Sequence, residues 1–237
     1  MLKFDFHLHT VASGHAYNTI LEIAKDASEK GLEAIAITDH GPLVLPDCEG
    51  YKYYFSNINC VPEKLFDVRV LKGCEANINP DGTLDLPSTD QTKLDIVLAG
   101  LHTVSMPPGL GRAANTAAII KAMAQNRIHI ISHPYLPLYP VDLEAVMAAG
   151  LKYRVLLEIN LSVIRRNLKN EAFIADVKRV IDWTIANKTK IVINSDAHFI
   201  TWLGDDSILA ELPFKIPTEI IFGSSGYQEV EEFLKSK

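Results

Sequence analysis

The chain has 237 residues, with 23 Lys and Arg against 29 Asp and Glu, eight His and a formal charge of −6. That length suits one large domain with a substantial core and is short for two, and apolar residues at 48% with charged residues at 22% exclude a disordered chain. No apolar run nears the ~18 residues of a membrane span, MLKFDFHLHT lacks the apolar stretch of a signal peptide, and the acidic balance argues against a nucleic-acid sink or a polybasic membrane patch.

In chain order, short runs rich in Ile, Val and Leu alternate with helical patterns. The first run is Lys3–His9. Thr19-x-x-Glu22 then reads as a capping box, followed by apolar Ile20, Ile23, Ala24 and Ala27, with Gly31 at the expected stop. The second run is Ala34–His40, and the stretch from Gly41 to Phe66, with three prolines and many aromatics, reads as an excursion of the same domain. Val68–Glu75 and Leu94–His102 are the third and fourth runs, after which Asn115 or Thr116 is placed to cap a helix over Ala117–Gln125. The fifth run is Ile128–His133, followed by a helix over Asp142–Ala149. The sixth is Arg154–Asn160, followed by a helix over Glu171–Asn187. The seventh is Lys190–Asp196, and a last helix fits Tyr227–Lys235. Runs of this length and composition are expected of buried parallel strands, and their alternation with helices predicts an α/β class in a single domain over residues 1–237. An open doubly wound sheet and a closed barrel both fit that alternation. The cysteines Cys48, Cys60 and Cys74 are odd in number and form no Cys-x-x-Cys pair, so neither a disulfide framework nor a zinc knuckle is expected, and a reducing cytoplasm is.

The histidines gather at one end of the runs. The first ends Phe6-His7-Leu8-His9 with His15 in the next loop, the second Thr38-Asp39-His40, the third Gly73-Cys74-Glu75 and the fourth Gly100-Leu101-His102. The fifth closes on Ser132-His133 before Pro134, and the seventh on Ser195-Asp196-Ala197-His198. Six of the seven strands therefore deliver an imidazole or carboxylate at the C-terminal end, which carries the active site in both sheets and barrels. Residues two apart share a face. That alternation turns Asp5, His7 and His9 toward a common interior and Phe4, Phe6 and Leu8 toward covering helices, and it groups Val192, Asn194, Asp196 and His198. A barrel gathers such groups at one mouth where an open sheet would spread them, so a barrel is expected.

Taken singly, each residue has an ordinary structural explanation. His7 and His9 read as a hydrogen-bonded pair; His40, His102 and His133 as satisfied core or capping residues; Glu75 as half an ion pair; Asp196 as a turn cap. Taken together, seven imidazoles and two carboxylates at strand ends would be costly to bury without a metal. No thiol stands among them, which points to ions suited to nitrogen and oxygen donors: Zn²⁺ first, then Mn²⁺ or Fe. The nine donors His7, His9, His15, His40, Glu75, His102, His133, Asp196 and His198 exceed one tetrahedral ion and suit two or three, with Glu75 as a bridge. His129 lies four residues before His133 and reads as interior packing.

Six motifs stand in order: His7-Leu8-His9 with His15, Thr38-Asp39-His40-Gly41, Gly73-Cys74-Glu75-Ala76-Asn77, Gly100-Leu101-His102, Ile131-Ser132-His133-Pro134 and Asn194-Ser195-Asp196-Ala197-His198. They resemble those of the PHP (polymerase and histidinol phosphatase) superfamily and, within it, the YcdX-like phosphatases, from residue 3 to about residue 200. The resemblance implies a distorted (β/α)7 barrel and three divalent ions. One would sit on His7, His9, Glu75 and Asp196, a second on His15, His40 and His198, and a third on Glu75, His102 and His133. It also implies a homo-oligomer, a trimer. Asn194, where a relative would often carry Gly, and the Pro- and Gly-rich loop Val104–Asn115 depart from the pattern at the mouth.

Clustered ions lower the pKa of bound water toward about 7 and polarise an oxyanion, which is the chemistry of phosphoester hydrolysis. The expected function is thus a metal-dependent phosphatase acting on a small phosphomonoester by in-line attack of a metal-bridging hydroxide, with Glu75 and Asp196 holding metal. Arg165 and Arg166 past Asn160, and Arg112 after His102, are candidate phosphate forks that read equally well as solvated surface residues. Asn160 is placed to touch a ligand or an ordered water, and Glu158 to join a buried polar network. The rivals are a nuclease of short oligonucleotides or nucleotides, a histidinol phosphatase, an amidohydrolase, and a non-catalytic metal-binding module. An amidohydrolase would typically add a bridging lysine and an eighth-strand aspartate. Three ions would make the mouth positive despite the chain's net charge.

Overall fold

In the computed structural model, which describes residues 2–45 and 49–237, eight strands form one sheet. They are β1 (Phe4–Leu8), β2 (Ala34–Ile37), β3 (Lys64–Leu65), β4 (Val68–Asn77), β5 (Ile96–Gly100), β6 (Ile130–Ile131), β7 (Leu156–Asn160) and β8 (Ile191–Asn194). Seven of them run parallel in the order β1-β2-β4-β5-β6-β7-β8, and β3 pairs antiparallel with the start of β4. The ends of the order meet: Leu8 bridges Ala197, and the His9 N–H donates to the Ala197 carbonyl at 3.1 Å. Deeper in the seam, side chains replace the ladder. Phe6 N–H donates to Asn194 Oδ1 at 2.9 Å and Ser195 N–H to Asp5 Oδ1 at 3.0 Å. The sheet is therefore a nearly closed barrel, as the gathering of histidines required.

All seven expected runs are strands, most of them shorter than the apolar pattern, because at the mouth side-chain hydrogen bonds take over from the ladder. Within the excursion after β2, the described part makes short turns, one helical turn and β3. Cys48 lies outside the described residues, while Cys60 and Cys74 are free thiols.

The helices are α1 (Ile20–Glu29), α2 (Tyr54–Asn57), α3 (Ser88–Gln91), α4 (Arg112–Gln125), α5 (Leu143–Tyr153), α6 (Leu161–Asn167), α7 (Glu171–Ala186) and α8 (Tyr227–Lys235). The capping box of Thr19 and Glu22 opens α1, and Gly31 at φ 76° follows its end. Two expectations need correction. The helix expected from Ala117 begins at Arg112, behind Gly111, and Asn115 and Thr116 are buried inside it rather than capping it. Their polar groups tie α4 to the start of α5: Asn115 Nδ2 donates to the Pro140 carbonyl at 3.1 Å, and Asp142 N–H donates to Thr116 Oγ1 at 2.8 Å. The helix α6 was not expected, because β7 passes into it without a loop and Asn160 is both the last strand residue and the N-cap.

The face assignment in β1 also changes. Phe4 and Asp5 pair with Ala34 and Ile35, but Leu8 pairs with Ile37, so three residues of β1 span two of β2. This bulge reverses the alternation. Phe4 and Phe6 face the lumen, packed with Ala34, Ala36, Leu98, Ile130, Leu156 and Val192, while Leu8 faces α1 with Ile35 and Ile37. Asp5 turns to the seam, where Ser195 N–H and Gly204 N–H donate to it. His7 and His9 still reach the lumen because the bulge lies before Leu8. Phe222 and Val230 close the lumen floor, with Tyr227, Phe233 and Leu234 of α8. No described helix is long and apolar enough to cross a membrane.

Candidate metal centre

Above the apolar lumen the inward positions become polar strand by strand. Just beyond the end of β2 come Thr38 and His40; β4 contributes Glu75 and Asn77. β7 contributes Glu158 and Asn160, and β8 leads through Asn194 to Asp196 and His198. On β5, Gly100 leaves space that the rings of His102 and His133 occupy. His133 and Asp196 hold positive φ values of 32° and 55°, an uncommon conformation for residues with a Cβ, and both turn the chain at a strand end.

Glu75 is the centre. Its Oε2 lies 3.2 Å from His7 Nε2, 3.5 Å from His9 Nε2 and 3.0 Å from His40 Nδ1. Its Oε1 lies 3.2 Å from His102 Nε2 and 3.0 Å from His133 Nε2, and accepts from the Ser132 hydroxyl at 2.7 Å. Asp196 Oδ1 stands 3.3 Å from His9 Nε2, 3.7 Å from His7 Nε2 and 3.5 Å from His198 Nδ1. His15 completes the outer edge, its ring 5.0 Å from that of His40 and 4.9 Å from that of His198. All nine donors expected from the sequence thus meet at one end of the barrel.

The nitrogens facing inward and those facing outward differ in kind. His7 Nδ1 donates to Glu158 Oε1 at 2.7 Å, His9 Nδ1 to Ser13 Oγ at 3.2 Å and His15 Nδ1 to the Ser13 carbonyl at 2.9 Å. His102 Nδ1 donates to Asn77 Oδ1 at 2.7 Å, and His198 Nδ1 to the Asp196 carbonyl at 3.2 Å. These partners place an N–H on Nδ1 in five rings, so that Nε2 is the atom each ring has left for an ion; His102 Nε2 also lies 3.4 Å from His133 Nε2. By contrast, His7 Nε2, His9 Nε2 and His40 Nδ1 are buried with no hydrogen-bond partner, although Glu75 Oε2 is close to all three. Buried polar atoms are normally satisfied. Orphaned nitrogens converging on one carboxylate are what a divalent cation would satisfy, so the donor set fits metal. Three groups of donor atoms lie within 4.8 Å of one another: His7, His9 and Glu75; His9, His40 and His198; His40, Glu75 and His102. Compared with the implied sets, the second group has His9 in place of His15 and the third His40 in place of His133.

The electrostatics are those of a carboxylate core under imidazoles. Burial alone would raise the Glu75 carboxyl, but His7, His102 and His40 hold it well below the usual range; His7 and His9 do the same for Asp196. Burial disfavours charge on His7, yet Glu75, Glu158 and Asp196 raise its pKa well above that of free imidazole. Burial and His40 push His9 well below it, and burial with His40 and His198 lowers His15.

The candidate substrate residues stand elsewhere or have other partners. Arg165 Nη2 donates to the Asp205 carbonyl at 2.8 Å and to Asp205 Oδ2 at 2.6 Å, while Arg166 and Arg112 are exposed. Asn160 is fully buried; its Oδ1 caps α6 and its Nδ2 donates to Glu158 Oε2 at 2.9 Å and Asp196 Oδ2 at 3.2 Å. Glu158 does sit in a buried polar network: Asn194 Nδ2 also donates to its Oε1, and His133 N–H to its Oε2, each at 2.9 Å. The sequence reading missed Ser13, Asn77 and Asp85 as supports. Asp85 accepts from Asn77 N–H at 2.7 Å and from Asn77 Nδ2 at 2.5 Å, which turns Asn77 Oδ1 toward His102. Such supports carry no spacing signal, because each is recognised only by the imidazole it meets in space.

A family model described as PHP domain matches residues 5–173, ending before Asp196 and His198. A protein named "probable phosphatase" from Caldanaerobacter subterraneus subsp. tengcongensis is 38% identical over 244 residues, spanning 100% of this chain and 92% of its own length. Another of that name from Serratia proteamaculans is 39% identical over 235 residues, spanning 95% and 91%. Among solved structures, a Listeria monocytogenes chain described as a candidate histidinol phosphatase superposes with a TM-score of 0.65 at 15% identity, covering 86% of this chain and 98% of that one. Histidinol phosphate phosphatase from Lactococcus lactis subsp. lactis, solved with Zn, L-histidinol and phosphate, superposes with a TM-score of 0.54 at 12% identity, covering 98% and 92%. At those identities the two structures speak to the fold, and the fold agrees with the family match and the two relatives. The chain belongs to the PHP family.

Proposed function

We propose that this chain is a metal-dependent phosphatase of small phosphomonoesters, with His7, His9, His15, His40, Glu75, His102, His133, Asp196 and His198 as the ligands of up to three divalent ions, zinc foremost. The observation that carries this reading is the set of orphaned nitrogens around Glu75 Oε2. Ions held there would lower the pKa of a water and neutralise charge on phosphoryl oxygens. The chain's own residues do the rest by position. Glu75 and Asp196 supply fixed negative charge, and Glu158, Ser13 and Asn77 fix the imidazole rings. Burial of Glu75 and His7 keeps bulk water from the inner side, whereas His15, His102 and His198 are the more exposed donors and mark the side from which a phosphate arrives. Among the described residues no Arg or Lys pairs with Glu75, Asp196 or Glu158, so charge on an incoming phosphate falls to the ions.

The test is chelation followed by add-back of Zn²⁺ or Mn²⁺, with p-nitrophenyl phosphate, histidinol phosphate and a 5′-labelled oligonucleotide as alternative substrates. Turnover of a small phosphomonoester should vanish on chelation and return with metal, and the pair His102→Ala with His133→Ala should abolish it. Metal-independent turnover, or full activity of that double variant, overturns the proposal. Preference for the oligonucleotide would make the chain a nuclease of the same family.

A further inference from the structure

The loop after β1 makes a short 3₁₀ turn, Val11–Ser13, closed by Gly14 at φ 79°. Ser13 is fully buried in it. The Ser13 hydroxyl donates to Asp39 Oδ1 at 2.6 Å, and its oxygen accepts from His9 Nδ1 and from the His40 backbone N–H, each at 3.2 Å. The Ser13 carbonyl accepts from His15 Nδ1 at 2.9 Å. One residue outside the donor set therefore touches three members of it.

The direction of these bonds is fixed from behind. Asp39 also accepts from Thr10 N–H at 2.7 Å, from the Thr10 hydroxyl at 2.8 Å and from the Tyr54 hydroxyl at 2.5 Å. Four donors saturate its two oxygens, so the Ser13 proton points to Asp39 and the Ser13 lone pairs point to His9 and His40. A neutral imidazole carries one N–H. With that N–H on Nδ1, His9 presents a bare Nε2, the buried unpartnered atom 3.3 Å from Asp196 Oδ1 and 3.5 Å from Glu75 Oε2. Without Ser13 in this orientation, the same ring would gain by moving its proton to Nε2 and donating to those carboxylates, and in that tautomer Nε2, the atom that faces the donor cluster, cannot bind metal.

We propose that Ser13 and Asp39 are positioning residues that hold His9 in its Nδ1–H tautomer and thereby set the affinity of the His9, His40 and His198 group for a divalent ion. This rests on the metal reading above. Two variants act on it by different routes. Ser13→Ala removes the acceptor of the His9 Nδ1–H. Asp39→Ala touches no imidazole, yet it frees the Ser13 proton to turn toward His9 Nδ1, which forces the ring proton to Nε2.

The experiment uses the full chain, labelled with ¹⁵N-histidine and stripped of metal, and reads His9 by long-range ¹⁵N–¹H correlation; Zn²⁺ affinity is then measured against a competing chelator. Wild type should show Nδ1–H. Both variants should shift His9 toward Nε2–H and weaken the binding of one Zn²⁺ by about 10- to 100-fold, with an unchanged circular dichroism spectrum. If either variant fails to fold, the other still decides. Wild-type His9 as Nε2–H, or variants with wild-type tautomer and affinity, overturns the inference. Wild type that binds no Zn²⁺ overturns the metal reading instead, so the two failures are distinguishable.

Discussion

Glu75 gathers five imidazoles on two oxygens, and room for two of them comes from a residue with no side chain. A Cβ on Gly100 would lie 2.5 Å from Ser132 Oγ, 2.9 Å from His133 Cε1 and 3.0 Å from His102 Cε1. None of these neighbours is free to retreat: Ser132 is bonded to Glu75, His102 to Asn77, and the His133 backbone to Glu158. Gly100→Ala should therefore push both rings from Glu75 Oε1, costing about 1–3 kcal/mol of stability by overpacking. Metal content and phosphatase activity should fall together, activity about tenfold or more. Metal analysis and a thermal melt check this, and a variant with full metal content and activity would show that the space is not needed. The donors themselves were legible in the sequence because all but His15, which lies in the loop after β1, stand at or just beyond the end of an apolar run. Ser13, Asn77 and Asp85 were not, because what selects them is contact with a ring from another strand.

At the scale of elements, the seven strands and α1 were readable from apolar runs and from the capping box of Thr19 and Glu22. The bulge in β1 was not, since alternation within one strand cannot register a slip against its neighbour; it moved Phe4 and Phe6 from the outside to the lumen. The start of α6 was hidden for a related reason, Asn160 being shared by strand and helix. The lumen that results is apolar below and polar above, and its floor is made by the chain's last elements. Phe222 packs 6.3 Å from the Phe6 ring and 5.0 Å from the Phe233 ring of α8. Because it is buried at the floor, on the opposite side of the apolar layer from the donors, Phe222→Ala should cost about 3–5 kcal/mol while leaving metal stoichiometry at wild-type value. Denaturant unfolding alongside metal analysis separates the two effects. Loss of metal in the folded variant would mean that the floor positions the donors.

At the scale of the whole molecule, most of the buried carboxylates gather at the mouth: Asp39, Glu75, Glu158 and Asp196. Set against Glu75 and Asp196 alone, the six positive charges of three divalent ions would leave about four at the mouth. The structure sets Glu158, Asp39 and Asp85 around the same imidazoles, so three divalent ions would leave about one positive charge there rather than four. The other histidine, His129, stands apart from the mouth. Val97 N–H donates to its Nδ1 at 3.0 Å, its Nε2 is buried without a partner, and burial, with Arg127 and Lys237, lowers its pKa to about 3. An unfolded chain takes up that proton near pH 6.5. The neutral ring thus contributes stability that is present above pH 6.5 and is lost as pH falls toward 3, by up to about 1.4 kcal/mol per unit. His129→Gln keeps an acceptor for Val97 N–H and removes the titration. In chelator, where protonation of the donor histidines is common to both proteins, urea unfolding at pH 7, 6, 5 and 4 should show a shallower loss of stability in the variant, whatever its starting value. Parallel curves would mean that His129 is protonated within the folded barrel and is no part of its acid sensitivity.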